Sequence, residues 1–261
     1  MAHSSSHDST AAQNADDVTL ARDHQPSAIR RRLQTGPRVR YVSDAVLGGI
    51  DGCVTTFAIV AGAVGAGFAP IVALVLGFAN LLADGFSMAV SNYEAIQAQR
   101  EYVDDLRRTE FRHIERVPEG EREEIRQIFA GKGFEGEVLE HVVDTICSNP
   151  DLWVDTMLAE EYGVGRATAR PLYAALATFG AFVAVGTMPL LPLLAPVPLE
   201  RQFLLSAIIA GATFFAIGMA KGFTFGRRPL RSGLRTLASG SAAAALAFAV
   251  GQGLHYLIGV S

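Results

Sequence analysis

The sequence predicts an all-α, polytopic membrane protein with five transmembrane helices and a helical, acidic insert between the second and the third. Half of the 261 residues are hydrophobic and 26 are Gly, a composition typical of closely packed membrane helices. Five apolar stretches are each long enough to cross a hydrocarbon core of about 30 Å. The one long polar stretch that separates them carries most of the acidic residues.

The charge of the chain is distributed unevenly. The net charge is −4, yet residues 94–161 alone hold 18 acidic and 8 basic side chains, whereas the rest of the chain is basic. Such a concentration of carboxylates favours cation binding and argues against a nucleic-acid partner. Cys53 and Cys147 have no CxxC neighbour, so we expect reduced thiols rather than a disulfide framework.

Residues 1–40 are polar and contain no apolar run, which predicts a disordered cytoplasmic tail and not a signal peptide. Five arginines end this segment and directly precede the first apolar stretch: Arg30, Arg31, Arg32, Arg38 and Arg40. By the positive-inside rule this flank is cytoplasmic.

The first two transmembrane helices are predicted within residues 41–92. The first covers about 43–65 and carries Asp44, Asp51 and Thr55 on one helical face. An Asp near the bilayer centre costs about 2.5–3.5 kcal/mol on insertion scales, so Asp51 favours a function over a hydrogen bond to a neighbouring helix. Asp44 has two interpretations, a place on a transport path or a helix cap.

The second transmembrane helix is predicted over about 71–92, and residues 78–116 read as one helix that continues out of the membrane. Four side chains recur at every fourth position of it and form a polar stripe: Asn80, Asp84, Met88 and Asn92. A Met in an apolar helix is usually core, but a thioether beside carboxylates and amides is also a transition-metal ligand.

Residues 93–168 predict a cytoplasmic acidic domain of short helices, with breaks at Pro118, at 131–133 and at 148–150. Candidate ligands pair at helical spacing: Glu110 with His113, Glu121 with Glu124, and Met157 with Glu161, with Glu160 adjacent. Pairs from neighbouring helices can surround a metal ion, as in helical bundles. The competing interpretation is that Glu-rich short helices are only solvated faces.

Residues 169–261 predict three further transmembrane helices, at about 171–198, 202–220 and 236–260. A basic loop at 221–235 separates the last two. The Arg flank, the insert and this loop fall on one side of the membrane when the chain crosses it five times, which predicts that side to be cytoplasmic.

Several motifs in this order resemble the vacuolar iron transporter (VIT) family over nearly all of residues 41–260. They are DGCVTTFAIVAGAVGAG, LADGFSMAVSNYEA, IERVP, SNPDLW and a closing Met157…Glu161. The resemblance implies a homodimer that exports Fe²⁺ or Mn²⁺ from the cytosol in exchange for protons, along a path at the dimer interface. It also implies that the insert binds the ion before translocation.

The resemblance assigns roles residue by residue. It implies that Asp51 and Met88 line the path, and that the insert ligands are Glu110, Glu121, Glu124, Met157 and Glu161. Two positions depart from the family pattern, because His113 replaces a glutamate and Asn80 replaces a membrane-embedded glutamate. We hypothesise that Asp84, one turn after Asn80, supplies the missing carboxylate.

The sequence therefore predicts a secondary metal-ion transporter and not an enzyme, with Fe²⁺ or Mn²⁺ as substrate and no organic cofactor. Protons and lipid are the other expected partners. A membrane-anchored metal buffer or sensor is the alternative. A di-iron enzyme is disfavoured because Glu110 and His113 form a single Glu-x-x-His pair where such sites need two. Short loops suggest a bacterial plasma membrane, or a vacuolar or other endomembrane in a eukaryotic host.

Overall fold

A computed structural model describes residues 20–35, 41–165 and 169–258 of the chain. The chain divides into two compact units, Met1–Arg40 and Tyr41–Ser261. The first unit contains helix α1, Pro26–Thr35. Pro26 is suited to a first helical turn, and Ala, Arg, Leu and Gln favour helix. The disorder of residues 1–40 stays a prediction. Residues 1–19 and 36–40 lie outside the described part.

The second unit is helical throughout its regular elements. In chain order they are α2 (Val42–Gly65), α3 (Pro70–Arg116), α4 (Pro118–Gly131), α5 (Gly136–Cys147), α6 (Pro150–Glu160), α7 (Pro171–Gly186), a 3-10 helix (Met188–Leu194), α8 (Leu199–Thr224) and α9 (Pro229–Ile258). In the described part of the chain, five segments are long and apolar enough to cross a membrane: Val42–Gly65, Pro70–Arg116, Pro171–Leu194, Glu200–Thr224 and Pro229–Leu257. The prediction of five membrane-spanning helices is confirmed.

Helix α3 runs without a break from Pro70 to Arg116, 47 residues, which corresponds to about 70 Å. The expectation of one helix that crosses the membrane and continues beyond it is confirmed. Val117 and Pro118 end it, because proline disfavours helix in the residue before it and starts α4 at the same time. Asn149 starts α6 by accepting hydrogen bonds from the amides of Asp151 and Leu152.

Two boundaries differ from the prediction. The third span is helical only to Gly186 and finishes as a 3-10 turn, since the two prolines of MPLLPLL cannot donate backbone hydrogen bonds. The fifth helix begins at Pro229, seven residues before the predicted start at 236, so it includes Arg231 and Arg235. Long cationic side chains allow a helix to extend past its apolar stretch.

In the membrane part, α2 lies against α3, α7, α8 and α9. Glycines permit its closest contacts: a Cβ at Gly48 would lie 2.2 Å from the Thr178 carbonyl oxygen, and one at Gly52 would lie 2.4 Å from that of Phe182. Phe182 and Phe214 are among the largest fully buried side chains around it. Backbones that approach this closely are typical of membrane helix packing.

The insert has a separate small core. Ile125, Val143, Ile146, Trp153 and Met157 are buried together where α4, α5 and α6 meet. Ion pairs surround it: Arg107 with Asp151 and Asp155, Arg122 with Asp144, and Arg126 with Glu123 and Glu140. The helices α3 and α6 also pack on each other, so the insert is anchored to the long helix.

Candidate metal centre

Three potential ligands converge where α3 turns into α4. Glu110 and His113 lie one turn apart near the end of α3, and the Val117–Pro118 turn brings Glu121, in the first turn of α4, back toward them. The His113 Nδ1 atom lies 3.7 Å from Glu110 Oε1 and 3.4 Å from Glu121 Oε1. One ligand atom from each residue lies within 4.8 Å of the other two. The three can therefore contact one ion.

The carboxylates of Glu110 and Glu121 are buried, and each has an oxygen that accepts no hydrogen bond. Glu110 is 1% exposed and Glu121 is 6% exposed. Tyr162 donates a hydrogen bond of 3.0 Å to Glu110 Oε1, but the Oε2 atoms of both glutamates are buried without a hydrogen-bond partner. Because an unpaired buried carboxylate oxygen is costly, a bound cation would offset much of the cost.

The electrostatics agree with this geometry. Burial, together with the negative charges of the neighbouring Glu110 and Glu124 carboxylates, raises the pKa of Glu121 to about 7. Partial loss of hydration also raises the pKa of the exposed Glu161, with the charges of Glu110 and Glu124 as the next causes. Four carboxylates thus repel one another around one point.

The donor chemistry restricts the ion. Carboxylate oxygens suit hard divalent cations, whereas an imidazole nitrogen such as that of His113 adds preference for first-row transition metals. Two carboxylates with one imidazole form a mixed oxygen and nitrogen donor set, without a thiolate. Such a set suits a divalent first-row ion.

The remaining predicted insert ligands lie in different surroundings. Glu124 and Glu161 are exposed and interact electrostatically with the buried glutamates. Glu160 forms an ion pair with Lys132 instead. Met157 is fully buried in the apolar core of the insert.

A second polar group joins α2 and α3 within the membrane part. Asn80 donates a hydrogen bond of 3.3 Å to the Thr55 hydroxyl, and Thr55 donates one of 3.0 Å to the backbone oxygen of Asp51. The carboxylates of Asp51 and Asp84 lie near enough to interact electrostatically. Met88 packs beside the apolar core. The structure thus brings Asp51, Thr55, Asn80 and Asp84 to neighbouring positions on two helices.

Asp44 lies in a different network from Asp51. The Asn92 amide donates hydrogen bonds of 2.9 Å to both Asp44 Oδ1 and the Thr178 hydroxyl, which ties α3 to α2 and α7. The Thr178 hydroxyl is also 3.0 Å from the Ala174 carbonyl oxygen of its own helix. A structural role for Asp44 thus accounts for its contacts.

Sequence reasoning missed Tyr162 and Thr178. Tyr162 follows Glu160 and Glu161 directly, so an aromatic hydroxyl beside candidate ligands was an available signal. Thr178 stands in an uncharged stretch without a periodic polar pattern, and nothing in the sequence indicates its contact with Asn92.

Comparison with known proteins gives a consistent result. A model of the VIT family matches residues 42–252. The vacuolar iron transporter of Toxoplasma gondii is 32% identical over 85% of this chain and 76% of its own. That of Centaurea cyanus is 33% identical over 81% of this chain and 87% of its own, and the vacuolar iron transporter 1 of Arabidopsis thaliana is 32% identical over 81% and 85%. The chain is a membrane protein that belongs to the VIT family.

Proposed function

We propose that this protein exports a divalent first-row metal ion, Fe²⁺ or Mn²⁺, from the cytosol in exchange for protons. The observation that carries the proposal is the cluster formed by the buried Glu110 and Glu121 with the exposed His113, at the end of α3 that lies outside the apolar segment. The lipid end of the same helix carries Asp84 and Met88. One continuous helix therefore links an ion-collecting site to intramembrane carboxylates.

The relatives support the choice of ion, because their names describe vacuolar iron transporters. The mixed oxygen and nitrogen donor set agrees with Fe²⁺ and with Mn²⁺. In this proposal Glu124 and Glu161 attract the ion to the cluster of Glu110, His113 and Glu121, and Asp51 and Asp84 receive it within the membrane. Met88 contributes a soft donor near them.

Proton exchange follows from the paired intramembrane acids. Two carboxylates that repel each other in a poorly solvated site hold a divalent cation when both are ionised, and protonation of one of them weakens that binding. A proton arriving from the opposite side would thus release the ion. A homodimer completes the path in this proposal, since Asp84 is exposed on a single chain.

The positions of the basic residues support a cytosolic insert in the same proposal. Lys221 in the last turn of α8, and Arg227 and Arg228 in the loop before α9, fall on the same side as the insert when five crossings alternate. The proposed membrane is an endomembrane or a bacterial plasma membrane. In either membrane the ion would leave the cytosol.

The decisive experiment is a flux assay in proteoliposomes with Fe²⁺ or Mn²⁺, with and without an imposed pH gradient. The wild-type chain is expected to transport the metal ion faster when the pH gradient drives protons in the direction opposite to the metal ion. Asp51→Asn is expected to reduce the initial rate by about tenfold or more. Glu200→Gln, an exposed acid in the first turn of α8, is the control and is expected to transport like wild type.

The same assay distinguishes the alternative of a membrane-anchored buffer or sensor. The intact insert cluster would let such a protein bind the ion as well as a transporter does. Binding without flux in any gradient would contradict the transport proposal. Flux that is indifferent to pH would retain metal transport and reject the proton exchange.

A further inference from the structure

A basic cavity lies between the end of α8 and the start of α9, apart from the acidic insert. Its volume is about 570 Å³. Its lining contains five cationic side chains and two hydroxyls: Lys221, Arg227, Arg228, Arg231, Arg235, Ser232 and Thr236. Two helices and the short loop between them therefore direct positive charge into one space.

No carboxylate of the described residues forms an ion pair with these cations. Among the residues that the structure describes, the ion pairs involve other basic side chains, and none includes a cation of this cavity. Elsewhere in the chain the guanidinium groups of Arg107, Arg122 and Arg126 each pair with carboxylates. Cationic side chains held together without neutralisation repel one another, so an anion bound among them would be stabilised.

The local backbone adds to the positive potential. Helix α9 has 30 residues and starts at Pro229, so the positive end of its dipole points to the cavity. Arg231 and Arg235 lie one turn apart on this helix and present guanidinium groups, which match the geometry of phosphate oxygens. Ser232 and Thr236 each directly follow one of these arginines and offer hydroxyls.

The side chains beside the cavity are apolar and exposed. Leu230 and Leu234 alternate with the two arginines on α9 and are 61% and 54% exposed, and Phe223 and Phe225 before them are 70% and 50% exposed. An arrangement of cations with large apolar groups beside them suits a ligand that has an anionic head and a hydrocarbon tail. A soluble anion would contact the cations but would leave the apolar side chains uncovered.

We propose that this cavity binds a phosphate group, with the headgroup of an anionic phospholipid as its principal source. The phosphate is held by Arg231 and Arg235 from α9 and by Lys221 from α8, and the acyl chains lie along Leu230 and Leu234. The site joins the last two membrane helices through the lipid. It does not depend on the proposed transport function.

The test measures lipid binding to the purified full chain in a neutral detergent by native mass spectrometry. Phosphatidylglycerol is expected to bind more tightly than phosphatidylcholine. Each cation near an anionic lipid surface contributes about fivefold in affinity, so Arg231→Gln with Arg235→Gln is expected to weaken phosphatidylglycerol binding by about 30-fold. Arg201→Gln, at the opposite end of α8, is the one-charge control and is expected to bind like wild type.

Lys221→Gln serves as an independent variant on the other helix, and it is expected to weaken binding about fivefold without altering α9. Inorganic phosphate separates the two sources of the anion. Failure of millimolar phosphate to displace the lipid supports the lipid site, whereas displacement supports a phosphate site filled by a soluble anion. Equal binding of the two lipids, or unchanged binding in both cavity variants, would overturn the proposal.

Discussion

Glu121 combines features that are rarely found together in a short, solvated helix: it is buried, it faces another carboxylate, and one of its oxygens has no partner. Glu137 has the same side chain in the first turn of α5 and is exposed to water. Variants of these two glutamates therefore distinguish binding of an ion at a defined site from general attraction of cations to an acidic surface.

We predict that Glu121→Gln lowers the affinity of the full chain for Mn²⁺ by about tenfold or more, because an amide oxygen is a weaker ligand and carries no charge. Isothermal titration calorimetry in detergent measures the change. Glu137→Gln is the matched control and should retain the wild-type affinity within about twofold. An equal loss in both variants would show diffuse attraction instead of a site.

The raised pKa of Glu121, about 7, predicts that the stability of the metal-free protein depends on pH. A carboxyl whose pKa is higher in the folded than in the unfolded chain stabilises the fold below its ordinary pKa of about 4.5. That contribution is lost as the pH rises through 7. We therefore predict that Glu121→Gln melts at a higher temperature than wild type at pH 8, and that the difference shrinks toward pH 5.

Thermal melting of the two metal-free proteins across this range measures the effect. Added Mn²⁺ should raise the melting temperature of wild type at pH 8 and should raise that of the variant less. The ion pairs of Glu123, Glu140 and Asp144 titrate in both proteins, so they cancel in the comparison. A difference that grows toward pH 5 would contradict the assigned shift.

At the scale of elements, the contact between α2 and α7 depends on positions where no side chain fits. Gly52 lies against the backbone of Phe182, which cannot move aside as a flexible side chain can. Gly180, on α7, has no heavy atom within 4 Å of where a Cβ would be. Both glycines are helical, but only Gly180 has room for a side chain.

We predict that Gly52→Ala destabilises the protein by about 1–3 kcal/mol, since the added methyl group forces the two helices apart. Gly180→Ala should be neutral or slightly stabilising, because alanine favours helix over glycine. The melting temperature in detergent, with circular dichroism as readout, measures both. Equal effects would show that helix propensity, and not the close contact with Phe182, governs Gly52.

At the scale of the whole molecule, the proposed homodimer predicts which exposed residues lie at the interface between the two chains. Asp84 and Ser87 are exposed on α3, one turn apart. A path at a two-fold interface would place Ser87 of each chain near its partner. Ser241 is equally a small exposed residue but lies on α9.

We therefore predict that Ser87→Cys, in a Cys147→Ser background, gives a covalent dimer when membranes are treated with a short bismaleimide. Ser241→Cys is the control and should stay monomeric under the same treatment, because α9 is not part of the proposed interface. Gel electrophoresis of the treated membranes distinguishes them. Crosslinking at 241 without crosslinking at 87 would place the interface elsewhere.

The continuous helix α3 also has a consequence for the molecule as a whole. Its 47 residues carry the intramembrane stripe at one end and two ligands of the cluster at the other. An unbroken helix is stiff along its axis, so a change of tilt in the membrane would move the cluster as well. In the proposed function, the ion-collecting site and the path would therefore move together.

The sequence by itself determined the five membrane-spanning helices, the uninterrupted α3 and the family. These properties are encoded locally. Apolar length decides which segments span, prolines such as Pro118 and Pro171 decide where helices begin, and an i, i+3 spacing places Glu110 and His113 on one face. Local rules gave a less accurate start for α9, because arginine side chains can extend a helix beyond its apolar stretch.

Only the tertiary structure decided which polar residues meet. Glu160 and Glu161 are neighbours in sequence, yet Glu160 pairs with Lys132 while Glu161 interacts with Glu110. Met157 lies at helical spacing from Glu161 and is fully buried in the apolar core of the insert. Such outcomes depend on the rotation of each helix about its axis and on its packing against neighbours far away in sequence, which periodicity within one helix does not specify.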